Sequence, residues 1–391
     1  MAEPWSNWAG SVSCTPCQRA EPASEAEIVA AVRRASELGV PLRVAGAGHS
    51  FQPVVATSGV LVSLDAWAGI VSCDPEARVA TVRSGTILHD LGEPLLAAGL
   101  AFENLGDVDV QSIGGALGTG THGTGHDLGN LPSQVRLLRI VSASGEILEC
   151  SREVDADLFS AASVSLGALG VLSTATLKLL SAYRLHERVW HCSADEILAE
   201  VTARVSAHRH FEFFWYPQRD LVEAKTLDTT ESPPSELPER KRERIGWSAH
   251  ILPSVREARF HEMEYSVPAA VGIECFRAVR ERIRTRWPDL QWPVEWRTLR
   301  SDDAWLSTAH GRETVTISIH QDGQLPFREL FTDIESIFRE FAGRPHWGKI
   351  HGLRAAELAN LYPHFEDFQR LRRRLDPEGR FLSEHLRELF E

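Results

Sequence analysis

The chain has 391 residues, and 41 lysines and arginines against 54 aspartates and glutamates give it a formal net charge of −13 at pH 7. This length predicts two or three domains, each large enough to bury a core. The acidic balance disfavours binding to nucleic-acid phosphates or to an anionic membrane surface, because both need a basic face.

The six cysteines are too few to form a disulfide scaffold. Cys14 and Cys17 form a lone C-x-x-C pair, which disfavours zinc; we interpret them as free thiols, with a redox dithiol as the alternative. The N-terminus shows no signal peptide, and no stretch reaches the ~18 apolar residues of a membrane span. We therefore expect a reducing, cytoplasmic setting.

The first half of the chain alternates helix and strand signals and is predicted to be α+β. Ser24 and Glu27 have the spacing of a capping box, and apolar residues continue at helical spacing until Gly39. The other predicted elements are strands at Pro41–Ala45, Gly59–Leu64, Ile70–Cys73 and Val79–Arg83, a helix at Thr86–Ala98, a hairpin of Val135–Ser142 with Glu146–Cys150, a helix at Asp155–Ser163 and a strand at Gly170–Leu180.

The composition changes after Ala182, which predicts a second domain beginning near residue 183. Aromatic residues cluster at Phe211–Tyr216, and the charged, proline-containing stretch Glu231–Arg244 is predicted to be an exposed loop. Further predicted elements are strands at Pro293–Arg297 and Thr314–His320 and helices at Phe327–Phe341 and Ala355–Leu375.

Two glycine-rich segments, Val44–Phe51 and Ser112–Gly125, stand out from the rest of the sequence. Glycines let the backbone approach a ligand closely and leave N–H groups free for phosphate oxygens. Gly118–Gly123 formally matches G-x-G-x-x-G, but the residues that follow cannot start a helix, so a dinucleotide fold of the Rossmann type is rejected. We predict instead a phosphate site made of loops and hydroxyl groups.

Most of the 16 histidines are expected to be surface or packed residues. His122 and His126 have the spacing of a zinc pair only on a helix, and this segment is not predicted to be one, so no metal site is expected. His49 differs, because it lies inside a glycine-rich turn where no packing role is evident. The sequence also lacks a P-loop and a G-x-S-x-G nucleophile elbow.

Three motifs in one order carry a resemblance to a known family: Gly46–Ser50, Ile113–Gly125 and Arg344–His351. Together they resemble the aldonolactone oxidoreductase and alditol oxidase group, within the vanillyl-alcohol-oxidase superfamily of FAD enzymes. The resemblance extends from Trp5–Gly10 to Leu375–Phe381. It implies a two-domain fold: an FAD-binding (PCMH-type) domain at 1–182, a substrate (cap) domain at 183–343 built on an antiparallel sheet with flanking helices, and a C-terminal segment at 344–391 that returns to the FAD domain.

The resemblance also implies the cofactor site. His49 would carry FAD covalently through a ring nitrogen, and the turn around it would hold the pyrophosphate. The residues that the resemblance assigns to FAD are Ala45, Gly46, Ala47, Gly48, His49, Ser50, Gly115, Ala116, Thr119, Gly120, Thr121, His122, Gly123, Thr124, Gly125, Val171 and His351.

On the substrate side, the resemblance favours Glu295 and Arg297, which alternate onto one strand face, as hydrogen-bonding partners of sugar oxygens. A charged, exposed strand face is the alternative. Lys349 is the candidate cation beside the flavin, or the residue that binds the reacting oxygen. His320 is the candidate proton acceptor, because imidazole titrates near neutral pH.

The implied reaction is oxidation of an aldonolactone such as L-gulono-1,4-lactone at the carbon next to the carbonyl, by hydride transfer to the flavin. Gly115 would leave room for O2 as acceptor, although a dehydrogenase stays an alternative. Ser318, His320, His351 and Ala116 depart from the pattern of alditol oxidases, so oxidation of a polyol is the second hypothesis. The third is a protein that binds a sugar or nucleotide without redox turnover.

Overall fold

A computed structural model describes residues 3–235, 242–254 and 258–391. The elements before residue 182 are β1 (Trp5–Ser6), β2 (Ser13–Cys14), β3 (Gln18–Ala20), α1 (Glu25–Leu38), β4 (Leu42–Ala45), β5 (Val60–Ser63), β6 (Ile70–Asp74), β7 (Val79–Arg83), α2 (His89–Ala97), β8 (Leu100–Ala101), α3 (Ile113–Thr119), β9 (Val135–Val141), β10 (Ile147–Ser151), α4 (Ala156–Ala162), β11 (Val171–Lys178) and β12 (Leu180–Ser181).

Two sheets organise this part of the chain. A parallel sheet has the strand order β3-β5-β4, and an antiparallel sheet has the order β10-β9-β11-β7-β6. The predicted helix and the predicted hairpin are both present. Ser24 accepts a hydrogen bond from the Glu27 N–H, and Gly39 ends α1 with a φ of 68°.

The elements after residue 182 are β13 (Arg184–Ser193), α5 (Ala194–Ala207), β14 (His210–Tyr216), β15 (Leu221–Thr230), β16 (Glu243–Trp247), α6 (Ser248–Ile251), β17 (Phe260–Pro268), α7 (Gly272–Arg286), β18 (Val294–Leu299), β19 (Thr314–Asp322), α8 (Arg328–Glu340), β20 (Arg344–Pro345), α9 (Ala355–Leu361), α10 (Phe365–Leu375) and α11 (Glu384–Phe390). Eight of these strands form one antiparallel sheet, in the order β16-β13-β15-β14-β18-β19-β17-β20.

The two faces of this eight-stranded sheet differ in chemistry, because successive side chains on a strand alternate between faces. One face is apolar and packs against helices: Phe213 contacts Phe276 of α7, and Tyr265 stacks on Phe338 of α8. The opposite face carries Glu262, Glu264, Glu295, Arg297 and His320. A well-packed apolar face therefore anchors a row of buried charges.

The C-terminal segment contacts the parallel sheet β3-β5-β4. The Leu42 N–H donates to the Arg380 carbonyl at 2.7 Å, and Phe381 lies in the core beneath β4 and β5. The boundaries expected at residues 182 and 343 remain a prediction.

Three sequence expectations differ from the structure. The residues Ile113–Thr119, expected to be a loop, form a helix that begins after Ser112 and ends at Gly120. The single helix expected at Ala355–Leu375 is two helices, and Pro363 lies in the break. Within the loop expected at Glu231–Arg244, residues 236–241 lie outside the described residues, and β16 already begins at Glu243.

In the described part of the chain, no helix is both long enough and apolar enough to cross a membrane.

Candidate active site

A cavity of about 700 Å³ runs between the glycine-rich segments and the polar face of the large sheet. Its volume lies within the range of roughly 300–1,000 Å³ that is usual for ligand pockets. The first wall is mainly backbone and short side chains, and the second wall is mainly charged side chains. We call them the glycine wall (the residues within 45–51, 112–122 and 165–170 that line the cavity) and the charged wall (Glu262, Glu264, Glu295, Arg297, His320 and Lys349).

The turn at Gly46–Ser50 is held by two neighbouring residues of the N-terminal segment. The Trp8 N–H donates to the Gly48 carbonyl at 2.8 Å, and the Asn7 amide donates to the Ser50 carbonyl at 3.0 Å. A Cβ at Gly46 would lie 2.2 Å from the Ser112 hydroxyl, so only glycine lets the turn pack against the start of α3. The two glycine-rich segments are thus brought into direct contact.

His49 lies in this turn and lines the cavity. Its ring stacks on Trp8, with centroids 5.0 Å apart. Burial and the nearby positive charge of Lys349 lower the pKa of His49 to about 4. The imidazole is therefore neutral near pH 7 and has a lone pair on one nitrogen.

Arg43 is a buried residue that sequence reasoning missed. Its guanidinium donates to the carbonyls of Val54, Leu166, Gly167 and Phe381, at 2.5 to 3.3 Å. It therefore ties the C-terminal segment to the Leu166–Gly170 part of the glycine wall. Burial lowers its pKa to about 10, which still leaves it charged near neutral pH.

Strand register assembles the charged wall. Glu295, Ser318 and Glu264 face one another across β18, β19 and β17, and His320 faces Glu262 in the next row. The Nη2 atom of Arg297 forms ion pairs with two carboxylates: it lies 2.6 Å from Glu264 and 3.3 Å from Glu295. The wall is thus a network of ion pairs rather than a set of separate charges.

Lys349 and His320 meet at one carboxylate. The Lys349 ammonium donates to Glu262, and His320 Nε2 lies 3.8 Å from the other Glu262 oxygen. Burial alone would raise the pKa of Glu262, but Lys349 and His320 lower it. The Phe51 N–H donates to the Gly348 carbonyl at 2.7 Å, so the turn that carries Lys349 also supports the turn that carries His49.

Glu264 is the other centre of the network. It accepts hydrogen bonds from Arg297 at 2.6 Å, from Ser318 at 2.7 Å and from His122 at 2.8 Å. Burial alone would raise its pKa, but His122 and Arg297 hold it well below its usual range. His346 also lies near this carboxylate: ligand atoms of His122, Glu264 and His346 all lie within 4.8 Å of one another, close enough to hold a metal ion. The positive charge that the Glu264 carboxylate needs is already supplied by Arg297.

The structure brings most of the predicted site residues to the cavity. These are Glu295, Arg297, His320 and Lys349 on the charged wall, and Ala45, Gly46, Ala47, Gly48, His49, Ser50, Gly115, Thr119, Thr121 and His122 on the glycine wall. Ala116 and Val171 lie in hydrophobic cores instead, and Gly120 caps α3.

Thr124 and Gly125 join the two halves of the chain and do not line the cavity. The Thr124 hydroxyl donates to the Phe211 carbonyl at 2.6 Å, and the Gly125 N–H donates to the Thr298 carbonyl at 2.9 Å. Gly123 packs against the Leu105 carbonyl, where a Cβ would lie at 2.1 Å. His351 is buried beside Trp347, where burial lowers its pKa to about 3.

Sequence reasoning missed Glu262 and Glu264, together with Asp107, Glu212 and Lys225 farther along the charged face. The alternation of Glu262, Glu264 and Ser266 with Met263, Tyr265 and Val267 was the available signal, because it predicts a strand with one polar face. Nothing in the sequence alone shows that this face meets Arg297.

Comparison with known proteins decides the family. The family model described as D-arabinono-1,4-lactone oxidase matches residues 175–245 and 234–389, and the FAD binding domain model matches residues 16–151. An L-gulono-1,4-lactone dehydrogenase of Mycobacterium tuberculosis is 35 % identical, over 100 % of this chain and 99 % of the relative. The chain therefore belongs to the family described as D-arabinono-1,4-lactone oxidase.

Other members of the family carry different names. An L-gulonolactone oxidase of Scyliorhinus torazame is 30 % identical over 100 % of this chain and 99 % of the relative, and an alditol oxidase of Streptomyces is 30 % identical over the full length of both. The protein is accordingly an FAD-dependent oxidoreductase of the aldonolactone oxidase group.

A solved cholesterol oxidase has the same fold, with a TM-score of 0.88 over 99 % of this chain and 97 % of that chain. At 18 % identity, this likeness concerns the fold alone, which is the two-part α+β architecture of PCMH-type flavoproteins.

The residues present fit FAD. The glycine wall offers backbone and short side chains along the cavity, and Gly115 is exposed toward it. At the opposite wall, the buried Glu295 Oε1 atom has no hydrogen-bond partner among the described residues. A polar atom buried without a partner is costly, so such an atom at a cavity indicates a ligand.

Proposed function

We propose that the protein oxidises an aldonolactone, such as L-gulono-1,4-lactone, at the hydroxyl-bearing carbon next to the carbonyl. One observation carries this proposal: a hydrogen-bond donor, Arg297, and the unpartnered oxygen of Glu295 lie next to each other and face the cavity. A polyhydroxylated, uncharged ligand satisfies both groups without burying a further charge. The names of the relatives support this substrate class.

Arg297 donates to a substrate oxygen, and Glu295 bonds a neighbouring hydroxyl. Burial raises the pKa of Glu295 to about 8, against the opposing effect of Arg297. Near pH 7 a protonated Glu295 can both donate and accept, which suits a sugar hydroxyl.

His320 takes the hydroxyl proton in this proposal. Its Nδ1 lies 2.8 Å from the Pro293 carbonyl, which only a protonated Nδ1 can bond. In the neutral ring, Nε2 then carries the lone pair, on the side of Glu262 and the cavity. Lys349 places a positive charge where the two walls meet. There it would stabilise the negative charge that bound FAD gains when the substrate is oxidised.

We propose that FAD is attached covalently through His49. The low pKa of this imidazole and its place on the glycine wall support the assignment, because a neutral ring nitrogen is the nucleophile that such a bond requires. Residues of Gly46–Ser50 and Gly115–His122 would hold the cofactor, and bound FAD supplies the hydride acceptor.

O2 is the proposed acceptor for reoxidation, with hydrogen peroxide as the product. Gly115 supports this assignment, since it is exposed toward the cavity and leaves space there. One relative is named a dehydrogenase, so the rate with O2 has to be compared with the rate with an artificial electron acceptor. Faster reduction of a dye than of O2 would make this protein a dehydrogenase.

The purified protein tests these assignments together. We expect a yellow colour that stays with the chain after acid precipitation, and its loss from the precipitate of His49→Ala. We expect faster O2 uptake with L-gulono-1,4-lactone than with xylitol. Faster turnover of xylitol would favour the alditol oxidase alternative, which the Streptomyces relative supports. A colourless protein would instead favour sugar or nucleotide binding without redox turnover.

We also propose the division into an FAD domain at 1–182, a substrate domain at 183–343 and a returning C-terminal segment at 344–391. Seven strands of the large sheet, from Arg184 to Asp322, and the contact of Arg380 with Leu42 support it, while the edge strand β20 lies just past the second boundary. A cytoplasmic location is likewise a proposal, supported by six free cysteines.

A further inference from the structure

The carboxylate of Glu264 is buried at the junction of the two walls. Its side chain is 1 % exposed, and its three partners come from two different parts of the chain. Arg297 and Ser318 lie on the neighbouring strands β18 and β19, whereas His122 comes from the segment that follows α3. Glu264 therefore connects the charged wall to the glycine wall.

Arg297 has two carboxylates within reach and bonds the two unequally. Its Nη2 is 2.6 Å from Glu264 and 3.3 Å from Glu295. Glu264 thus takes the closer, charge-assisted hydrogen bond, which is the stronger kind. Glu295 keeps an oxygen that has no hydrogen-bond partner among the described residues.

We propose that Glu264 is a positioning residue of the active site. It holds the Arg297 guanidinium away from Glu295, so that both remain available to the substrate. This inference rests on the proposed function, because that function assigns Arg297 and Glu295 to the substrate. Glu264 itself acts through Arg297 and has no part in the chemical step.

Glutamine at this position tests the charge with little change in shape. A glutamine oxygen still accepts from Arg297 and Ser318. Its amide nitrogen can donate to His122 Nε2 in the tautomer whose proton lies on Nδ1, 2.9 Å from the Gly123 carbonyl, whereas the wild-type carboxylate accepts from a protonated Nε2. With the charge at position 264 removed, Glu295 is the carboxyl group that remains beside Arg297 Nη2, 3.3 Å away, and the two side chains are expected to close on each other.

The experiment compares the flavin-loaded wild type with Glu264→Gln, measuring kcat, KM for L-gulono-1,4-lactone and the melting temperature. We expect KM to rise about tenfold, which corresponds to the loss of one charge-assisted hydrogen bond, while kcat falls by a smaller factor. A merely structural role would lower the melting temperature and leave KM unchanged.

Glu187→Gln is the matched control. Glu187 is also a buried carboxylate of the large sheet with an arginine partner, Arg244, but it does not line the cavity. We expect this variant to keep the KM of the wild type. If Glu187→Gln raises KM as much as Glu264→Gln does, the inference is overturned.

A double-mutant cycle with Arg297→Met shows whether Glu264 acts through Arg297. We expect Glu264→Gln to add less than a further ~2-fold to KM when Arg297 is absent. If the two substitutions raise KM independently, so that their fold-changes multiply in the double variant, the inference is overturned. An unchanged KM in Glu264→Gln overturns it as well. If Glu264→Gln does not fold, Glu264→Asp takes its place. The shorter side chain draws the carboxylate away from Arg297, so we expect KM to rise; an unchanged KM overturns the inference.

The failure of this inference is distinguishable from failure of the proposed function. If the wild type does not oxidise the lactone, the proposed function fails. If the wild type oxidises it and Glu264→Gln keeps the KM of the wild type, only the role of Glu264 fails.

Discussion

The two walls of the cavity are built in different ways. The glycine wall comes from short continuous segments, and its chemistry lies mainly in the backbone and in two histidines, His49 and His122. The charged wall comes from β17, β18, β19 and the turn at Lys349, and its chemistry lies in side chains that strand pairing aligns. Function in the first wall is therefore local in sequence, whereas in the second it depends on register.

The difference predicts how each wall responds to substitution. A substitution in the glycine wall acts by steric overlap, because an added side-chain atom meets groups that are already in close contact. A change in the charged wall acts on charge, because each removed partner leaves another buried charge uncompensated.

The largest effect is expected on the charged wall, from Lys349→Met. Removing this cation should lower kcat about 10²- to 10³-fold, as losing one electrostatic contact at a reacting centre typically does. The variant also leaves Glu262 buried without its ammonium partner. Steady-state kinetics with L-gulono-1,4-lactone measure the effect.

The double variant Lys349→Met with Glu262→Gln separates activity from folding. We expect it to recover thermal stability but not kcat. Recovery of kcat would show that the uncompensated carboxylate, rather than the missing cation, caused the loss.

Arg43→Met is expected to have the next largest effect. It leaves four buried carbonyls without their donor, and we expect a loss of about 3 kcal/mol in the free energy of unfolding, measured by denaturant titration. Arg139→Met is the comparison, because Arg139 pairs with Glu25 and Glu149 near the surface and should cost less than ~1 kcal/mol. Equal losses would contradict the role of Arg43.

Gly46→Ala tests the glycine wall. The new Cβ would meet the Ser112 hydroxyl at 2.2 Å, so we expect the amount of bound flavin to fall, with an overpacking cost of about 1–3 kcal/mol. Adding Ser112→Gly removes the obstructing side chain and should restore flavin content, measured by absorbance per chain. A double variant no better than Gly46→Ala would show that the contact with Ser112 is not the cause.

The smallest effect concerns acid stability. Burial lowers the pKa of His351 from 6.5 to about 3, so below pH 6.5 the unfolded chain binds a proton that the folded chain does not. Between pH 6.5 and 5.5, the mildly acidic range to be compared, the stability of the folded state therefore falls by about 1 kcal/mol from this group. Denaturant titrations at several pH values should show a shallower fall for His351→Leu; equal slopes would exclude His351 as a contributor.

The sequence by itself determined the local features. Ser24 and Gly39 mark the ends of α1, Gly48 gives the turn at Gly46–Ser50 its residue with a φ of 73°, and His49 within this turn stands out without any tertiary information. The alternation of Glu295 with Arg297 also predicts correctly that both lie on one face. Each of these features depends on residues that are close in the chain.

Tertiary structure decided what the sequence left open. The glycines of Ile113–Thr119 disfavour a helix, yet the segment is helical, with Ile113, Ala116 and Leu117 packed into the core. Glu264 meets Arg297 only because β17 and β18 both pair with β19 in one register. A shift by a single residue would turn these charges onto the apolar face, whose side chains pack against α7 and α8. The alternation within each strand is local, but which strands pair is decided only in the folded sheet.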